Sequence, residues 1–462
     1  LPPALSTLST ALDIKKKRGK NPRPKSSLPQ NKFKNRPMEK FQQSLVLAFS
    51  LAIVGIASAQ SSESLLKKLV EKGVLTEAEA GELRKEAKGV NSIRPKSWID
   101  SITFKGDLRL RYEQKHQDWN DGAQLSRQRM RYRFRYGAIA DLENDMKVGF
   151  RIASGSTDNP ISTNQSFDDA GHNDSLNIDQ AYAQWGRGGF TVMGGKMPAH
   201  DKTGWMINKG LIDSDYTPEG LEAHYNLKSL PIGLHGGWHS LNESSSTTDD
   251  EGLLIGQLTA GHKLNGKTDL KLGLGSYWLF NADQIKADTV GSSGVAYKDS
   301  AGNSESGNKV VSNFNPYFID AALTYKRWAR PLKFSAMYLN NPAAAVSSED
   351  TGYSLGVKYG SAKKAGEWEI GYEWRHLEQD SAWAGLTDSD FGAFGARNVA
   401  GNNGNKYYTG TNVEGSLIKG RYQLYDNVKL GFGWGITDAI KNDVSGTDKT
   451  THRFSFDVIF SF

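Results

Sequence analysis

From residue 100 onward the chain alternates. Ile102, Phe104, Gly106, Leu108, Leu110 and Tyr112 take one parity, and Ser101, Thr103, Lys105, Asp107, Arg109 and Arg111 take the other. A period of two puts successive side chains on opposite faces of a strand, one apolar and one charged. The next segment repeats the pattern, with Met130, Tyr132, Phe134, Tyr136 and Ala138 against Arg127, Arg129, Arg131, Arg133 and Arg135. After a tight turn at 141–145, Met146, Val148, Phe150 and Ile152 form the apolar parity of a third strand.

The same rhythm predicts strands near 176–185, 190–197, 219–227, 232–241, 252–263, 268–280, 317–327, 332–340, 351–360, 366–378, 411–425 and 428–439. A last one carries His452, Phe454, Phe456, Val458, Phe460 and Phe462 on one face, which makes sixteen strands in eight hairpins. The phase is weakest in the fourth, fifth and seventh, so 14 or 18 strands are the alternatives. Short connections such as 186–189 and 229–231 alternate with long polar ones such as 154–175, 199–217 and 379–410. Spans of about ten alternating residues with short turns at one end and long loops at the other are the pattern of a transmembrane β-barrel. A soluble β-sandwich also alternates, but it has no need of strictly alternating loop lengths. Trp368, Tyr372, Trp374, Phe432 and Trp434 fall on the apolar parity, where aromatic side chains favour a membrane interface. The fold expected is therefore all-β: a transmembrane antiparallel β-barrel of about 16 strands over residues 98–462.

What precedes it reads differently. Residues 38–59 run from a charged start with Lys40 through an apolar stretch to Ala57, Ser58 and Ala59, a secretory signal peptide with cleavage expected between Ala59 and Gln60. Its apolar run is shorter than the ~20 residues a spanning helix needs. Residues 1–37, Pro-rich and basic, precede a plausible initiator, Met38, and read as an upstream extension. Within 60–97, Leu65, Leu66, Leu69 and Val70 recur at helical spacing, and Thr76 with Glu79 makes a capping box. A short periplasmic helical hairpin and linker is expected there, as an assembly aid or a solvated spacer.

Composition narrows the class. The 462 residues are only 37% hydrophobic, with 49 glycines and no cysteine, so a large conventional core, disulfides and thiolate metal sites are all excluded. A pI near 9.0 raises the question of nucleic acid. The first 59 residues, however, hold eleven Lys or Arg against Asp13 and Glu39, more than the whole net charge of +6. The remaining chain is net negative, and no nucleic-acid partner is expected.

The stretch LLKKLVEKGVLTEAEAGELRKEA, the stretch RQRMRYRFRYGAIADLENDMKVGFRIASG with the loop NPISTNQ, and the terminal Phe462 resemble the outer-membrane porins of Gram-negative bacteria. The likeness is to the putative porin family and, more distantly, to the phosphate-selective porins. The resemblance implies a homotrimer in outer-membrane lipid and lipopolysaccharide, inserted by the barrel-assembly machinery with Phe462 as its signal. It also implies that the third long loop folds inward, making Asp201, Asp213 and Asp215 candidate constriction residues.

If the apolar parity meets lipid, the charged parity faces the lumen. Arg109, Arg111, Arg127, Arg129, Arg131, Arg133, Arg135, Lys147 and Arg151 then form one inner wall, its five strand-two arginines spanning ~27 Å at a rise of ~3.4 Å. Such a ladder needs opposing carboxylates; Asp107, Glu113, Glu367, Glu369 and Glu373 are candidates beside the loop acids. The function expected is passive diffusion of small polar or anionic solutes and ions, with an anion- or phosphate-selective pore as the sharper alternative. An enzyme is not expected, since no nucleophile motif such as G-x-S-x-G is present; an adhesin and a plugged active transporter fit less well. No cofactor is implied. His235 and His239 sit ~13 Å apart on one strand face, too far for one metal ion, and the acids at 168–169 and 248–251 read as solvated loop charges.

Overall fold

The computed structural model describes residues 98–118, 124–157, 160–243, 250–281, 302–306, 309–388, 390–392, 410–441 and 450–462, with 70, 76 and 77. The upstream extension, the signal peptide and nearly all of the expected helical hairpin lie outside the described residues.

Sixteen long strands form one antiparallel sheet: β1 (Ile99–Asp118), β2 (Gln124–Leu142), β3 (Met146–Ala153), β4 (Asn177–Arg187), β5 (Phe190–Lys196), β6 (Glu219–Asn226), β7 (Ile232–Asn242) and β8 (Glu251–Asn265), followed by β9 (Thr268–Phe280), β10 (Tyr317–Tyr325), β11 (Leu332–Asn340), β12 (Thr351–Gly360), β13 (Trp368–Leu377), β14 (Val413–Tyr425), β15 (Val428–Ala439) and β16 (Thr450–Ser461). Each pairs with its sequence neighbours, and β1 pairs with both β2 and β16, so the sheet closes. A two-residue strand, Gln165–Ser166, continues the sheet on β2 above β3. No helix among the described residues is long and apolar enough to cross a membrane. A closed barrel, which satisfies every ladder hydrogen bond internally, is the other arrangement able to cross lipid.

The short connections carry the backbone that tight hairpins need: Asn144 and Asp145 at φ 63° and 62°, and Gly188 and Gly189 at 65° and 92°. Ile102, Phe104, Leu110, Met130, Val148, Phe150, Leu234, Trp238, Leu254, Leu258, Trp368 and Phe432 are exposed on the outer face. In lipid this band is the buried surface.

The closing seam rests on the last residue. Gly106 N–H donates to the Phe462 carbonyl (2.7 Å), and Phe462 N–H donates back to Gly106 (3.0 Å). The Phe462 ring stacks with Tyr136 and Phe134, at centroid distances of 6.2 and 6.4 Å. It lies over Gly106, where an added Cβ would be 2.4 Å from the ring. Gly106→Val is expected to displace the ring and destabilise the barrel by ~1–3 kcal/mol, the usual cost of overpacking. A fall in the unfolding temperature of the refolded barrel checks this, with Gly106→Ala intermediate.

One expectation needs correction. The inward parity is not polar throughout, since Leu241, Leu253, Ile255, Tyr277, Leu279, Phe318, Met337, Leu339 and Leu377 are buried on the inner face of β7–β11 and β13. They are covered by Trp205, Leu211, Ile212 and Tyr216 of the β5–β6 loop and by Trp383 and Leu386 of the β13–β14 loop. These loops fold inward and remove that stretch of wall from water. The hydrophobic effect therefore acts inside this barrel as in a soluble core.

Candidate functional site: a charged constriction

The opposite wall is charged. The β1–β2 register sets Asp107, Arg109, Arg111, Glu113 and Lys115 across from Arg135, Arg133, Arg131, Arg129 and Arg127. Across the seam, Arg111 and Lys115 oppose Asp457 and Arg453 of β16. Like charges stacked along a strand cost energy unless carboxylates interleave. Asp107 accepts from Arg133 (2.7 Å) and Arg135 (2.7 Å). Glu113 accepts from Arg129 (2.6 Å) and Arg453 (2.6 Å), and Arg111 holds Asp457 (2.7 Å).

The remaining predicted positions fall outside this knot. Arg109 donates to the Asn164 side chain and Arg131 to the Asn164 carbonyl (3.2 Å), both within the NPISTNQ loop. Arg151 pairs with Asp179 of β4. Arg127 is exposed near one end of β2, and Lys147 is exposed near the other, paired with Asp141 at 2.7 Å. Of the acids suggested on β13 and the turn before it, Glu373 meets Arg375 (3.0 Å) and Glu369 meets Lys358 and Arg421 (3.1 Å each). Glu367 accepts turn amides from Lys363 and Lys364.

Two inward loops face the arginines. In the β5–β6 loop, the Asp215 carboxylate lies 3.6 Å from Arg135 and 3.9 Å from Arg133. Asp213 is buried beside it, and Asp201 is instead paired with Lys202 on the short helix His200–Thr203. In the β13–β14 loop, Asp390 meets Arg111 at 3.3 Å and also pairs with Arg453, while Asp388 meets Arg375 at 3.2 Å. Arg375 is the largest fully buried side chain, held also by Glu373 and stacked 4.7 Å over the Phe391 ring.

The loops are clasped to each other. Asp213 N–H donates to the Leu386 carbonyl (2.6 Å), and Asp388 N–H donates to the Lys209 carbonyl (3.1 Å). Asp215 N–H bonds the Asp213 side chain (2.8 Å), and Asp390 N–H bonds the Asp388 side chain (3.1 Å). The same local turn occurs twice because the sequence does: Leu-Ile-Asp-Ser-Asp-Tyr at 211–216 and Leu-Thr-Asp-Ser-Asp-Phe at 386–391. In each, the leucine and the aromatic residue are buried and the second aspartate faces arginines. Asp388, Asp390, Arg375, Arg453 and Asp457 were missed in the sequence, and this repeated hexapeptide was the signal for the first two.

Electrostatics distinguishes the four loop acids. Burial pushes Asp215 and Asp390 up, but the guanidiniums of Arg133 and Arg135, and of Arg453 and Arg111, outweigh it and hold both below the ordinary range. Burial likewise raises Asp388, and Lys209, Lys419 and Arg375 bring it down to about 2. Asp213 is pushed up to about 7 by burial, against Lys209 and with help from the charges of Asp388 and Asp215.

A family model described as "Putative porin" matches residues 119–312, from just before β2 into the β9–β10 connection. Over those residues the chain resembles that family. Its fold is shared with OprB of Pseudomonas putida, a high-pH structure, at a TM-score of 0.51 and 16% identity over 78% of this chain and 94% of that one. A triple mutant of the Rhodopseudomonas blastica porin aligns at 0.40 and 13%, covering 78% and 100%. OmpT of Vibrio cholerae, in a trimer form, aligns at 0.42 and 12%, covering 78% and 99%. A search of curated proteins finds no match. At 16% identity the likeness to OprB is one of fold.

Proposed function

We propose that this porin passes small polar solutes and ions by passive diffusion through a constriction crossed by a transverse field. The observation that carries this is the facing of Asp215 and Asp390, on the inward loops, with Arg133, Arg135, Arg111 and Arg453 on the wall. Ion pairs of opposite sign set side by side along a wet opening orient dipolar solutes without giving the pore a large net charge. An anion- or phosphate-selective pore would be favoured by arginines left without carboxylates. Arg109 and Arg131, whose only hydrogen bonds to described residues go to Asn164, are the observation on its side. The reading includes cleavage of the leader after Ala59, insertion signalled by Phe462, and a homotrimer in lipid and lipopolysaccharide.

Reversal potentials across a planar bilayer in a salt gradient test it: weak selectivity supports the transverse field, and strong anion preference supports the alternative. The Asp213 carboxyl adds a pH signature. Its native pKa lies above the unfolded value, so the folded state binds the extra proton and this group's contribution to stability falls as pH rises from about 4 to about 7. Between pH 6 and 8 the loop gains one negative charge, and cation permeability is expected to rise. Asp213→Asn should flatten that dependence; an unchanged pH profile would remove Asp213 from the conducting path.

A further inference from the structure

A second polar cluster lies on β6 and β7 where the first inward loop leaves the wall. Glu222 is 1% exposed, His239 is 0% and His200 is 4%. Glu222 Oε1 lies 3.1 Å from His239 Nε2 and 3.2 Å from His200 Nε2. Its other oxygen accepts from Trp205 Nε1 (3.0 Å) and lies 3.1 Å from His224 Nε2. The carboxylate is thereby oriented with Oε1 toward the two imidazoles. His224 is steadied by His235 (2.8 Å), which in turn contacts Thr259 (3.0 Å).

The imidazoles themselves are poorly satisfied. Both ring nitrogens of His200 and Nδ1 of His239 are buried with no hydrogen-bond partner. Buried polar atoms left in that state are costly and call for an unseen partner. One ligand atom from each of His200, Glu222 and His239 lies within 4.8 Å of the others. Ligands ~2.0–2.1 Å from a tetrahedral ion stand ~3.4 Å apart; the two carboxylate–imidazole distances, 3.1 and 3.2 Å, are close to that, and the three ligand atoms all lie within 4.8 Å of one another.

We propose that His200, Glu222 and His239 bind a divalent transition-metal ion of the zinc class, with a water or solute anion in the fourth position. Two imidazoles and one carboxylate are the donor set such an ion takes, whereas calcium and magnesium favour all-oxygen sites. Trp205 and His224 supply the outer hydrogen bonds that fix the carboxylate. Two ligands belong to the wall and one to the constriction loop, so the ion staples the base of that loop to β6 and β7. The strand-spacing objection to a His235–His239 site does not reach this one, because the partners of His239 come from the neighbouring strand and from the loop.

The test is zinc binding by the purified, chelator-stripped porin in detergent, measured by calorimetry, which requires no conductance and so stands apart from the proposed pore function. One ion per chain is expected, with visible bands of tetrahedral cobalt when cobalt replaces zinc. His200→Ala, His239→Ala and Glu222→Gln should each weaken binding by about 100-fold, the upper end of what outer-shell losses alone cause. His172→Ala and His262→Ala, on exposed histidines, should leave it unchanged. Should the buried variants fail to fold, anomalous scattering from a zinc-loaded crystal of the unaltered chain locates the ion. Density between the three ligands supports the proposal. No binding, binding that survives loss of His200 and His239 together, or an ion located elsewhere overturns it.

Discussion

Arg375→Ala is expected to release the β13–β14 loop from the wall and to cost the folded barrel about 3–5 kcal/mol, the penalty for removing one partner of a buried ion pair. The side chain is 1% exposed and binds Glu373 (3.0 Å) and Asp388 (3.2 Å) while lying over Phe391. Alanine leaves a cavity and two carboxylates short of their cation. Because Asp388 is also clasped to the Lys209 carbonyl, the disturbance reaches the first inward loop. Thermal unfolding should shift downward, and single-channel traces should show a larger, noisier open level. Arg375→Lys, which keeps the charge but not the planar two-sided fork, should lie between. A variant with unaltered stability and a quiet, unchanged conductance would detach this arginine from the constriction.

Asp215→Asn combined with Asp390→Asn is expected to produce the largest change in selectivity. These two carboxylates oppose four guanidiniums from two loops. Removing them leaves those guanidiniums without their loop counter-charges. One unit charge at ~8 Å is worth about 0.5 kcal/mol at the dielectric of water and about 2 kcal/mol at an effective value of 20. Two such charges should therefore move the anion-to-cation permeability ratio by roughly tenfold toward anions, a change of about 1.4 kcal/mol. The converse pair, Arg131→Ser with Arg133→Ser, should move it toward cations. The effects should shrink as salt rises from 0.1 to 1 M, where the screening length falls from ~10 to ~3 Å. If the reversal potential stays put in both double variants, the transverse-field reading fails.

The barrel was legible in the sequence at the level of individual strands, including the fourth, fifth and seventh, whose phase was weakest. Their alternation is imposed locally by lipid on one face and polar surroundings on the other, so no distant contact is needed to read it. Parity alone also puts Arg129, Arg131, Arg133 and Arg135 on one face, as an arginine row. Its neutralisation was half legible, since Asp107 and Glu113 share that parity on β1. The contribution of Arg453 and Asp457 was not, because it depends on barrel closure bringing residues about 340 positions apart into register.

Loops carry no period, and there the sequence by itself said least. Inward folding of 199–217 was expected only through family resemblance, and the second inward loop was not expected at all. What draws both in is an apolar patch assembled from six strands, from Leu241 on β7 to Leu377 on β13, which exists as a surface only after the barrel has closed. His200, Glu222 and His239 likewise meet only when β6 pairs with β7 and the loop folds over them. The sequence by itself determined the strands and the alternation within each, because strand periodicity is a local property of the chain. Tertiary structure alone decided which inward charges meet and which loops fill the lumen, because those depend on closure register and on a buried surface that no single segment possesses.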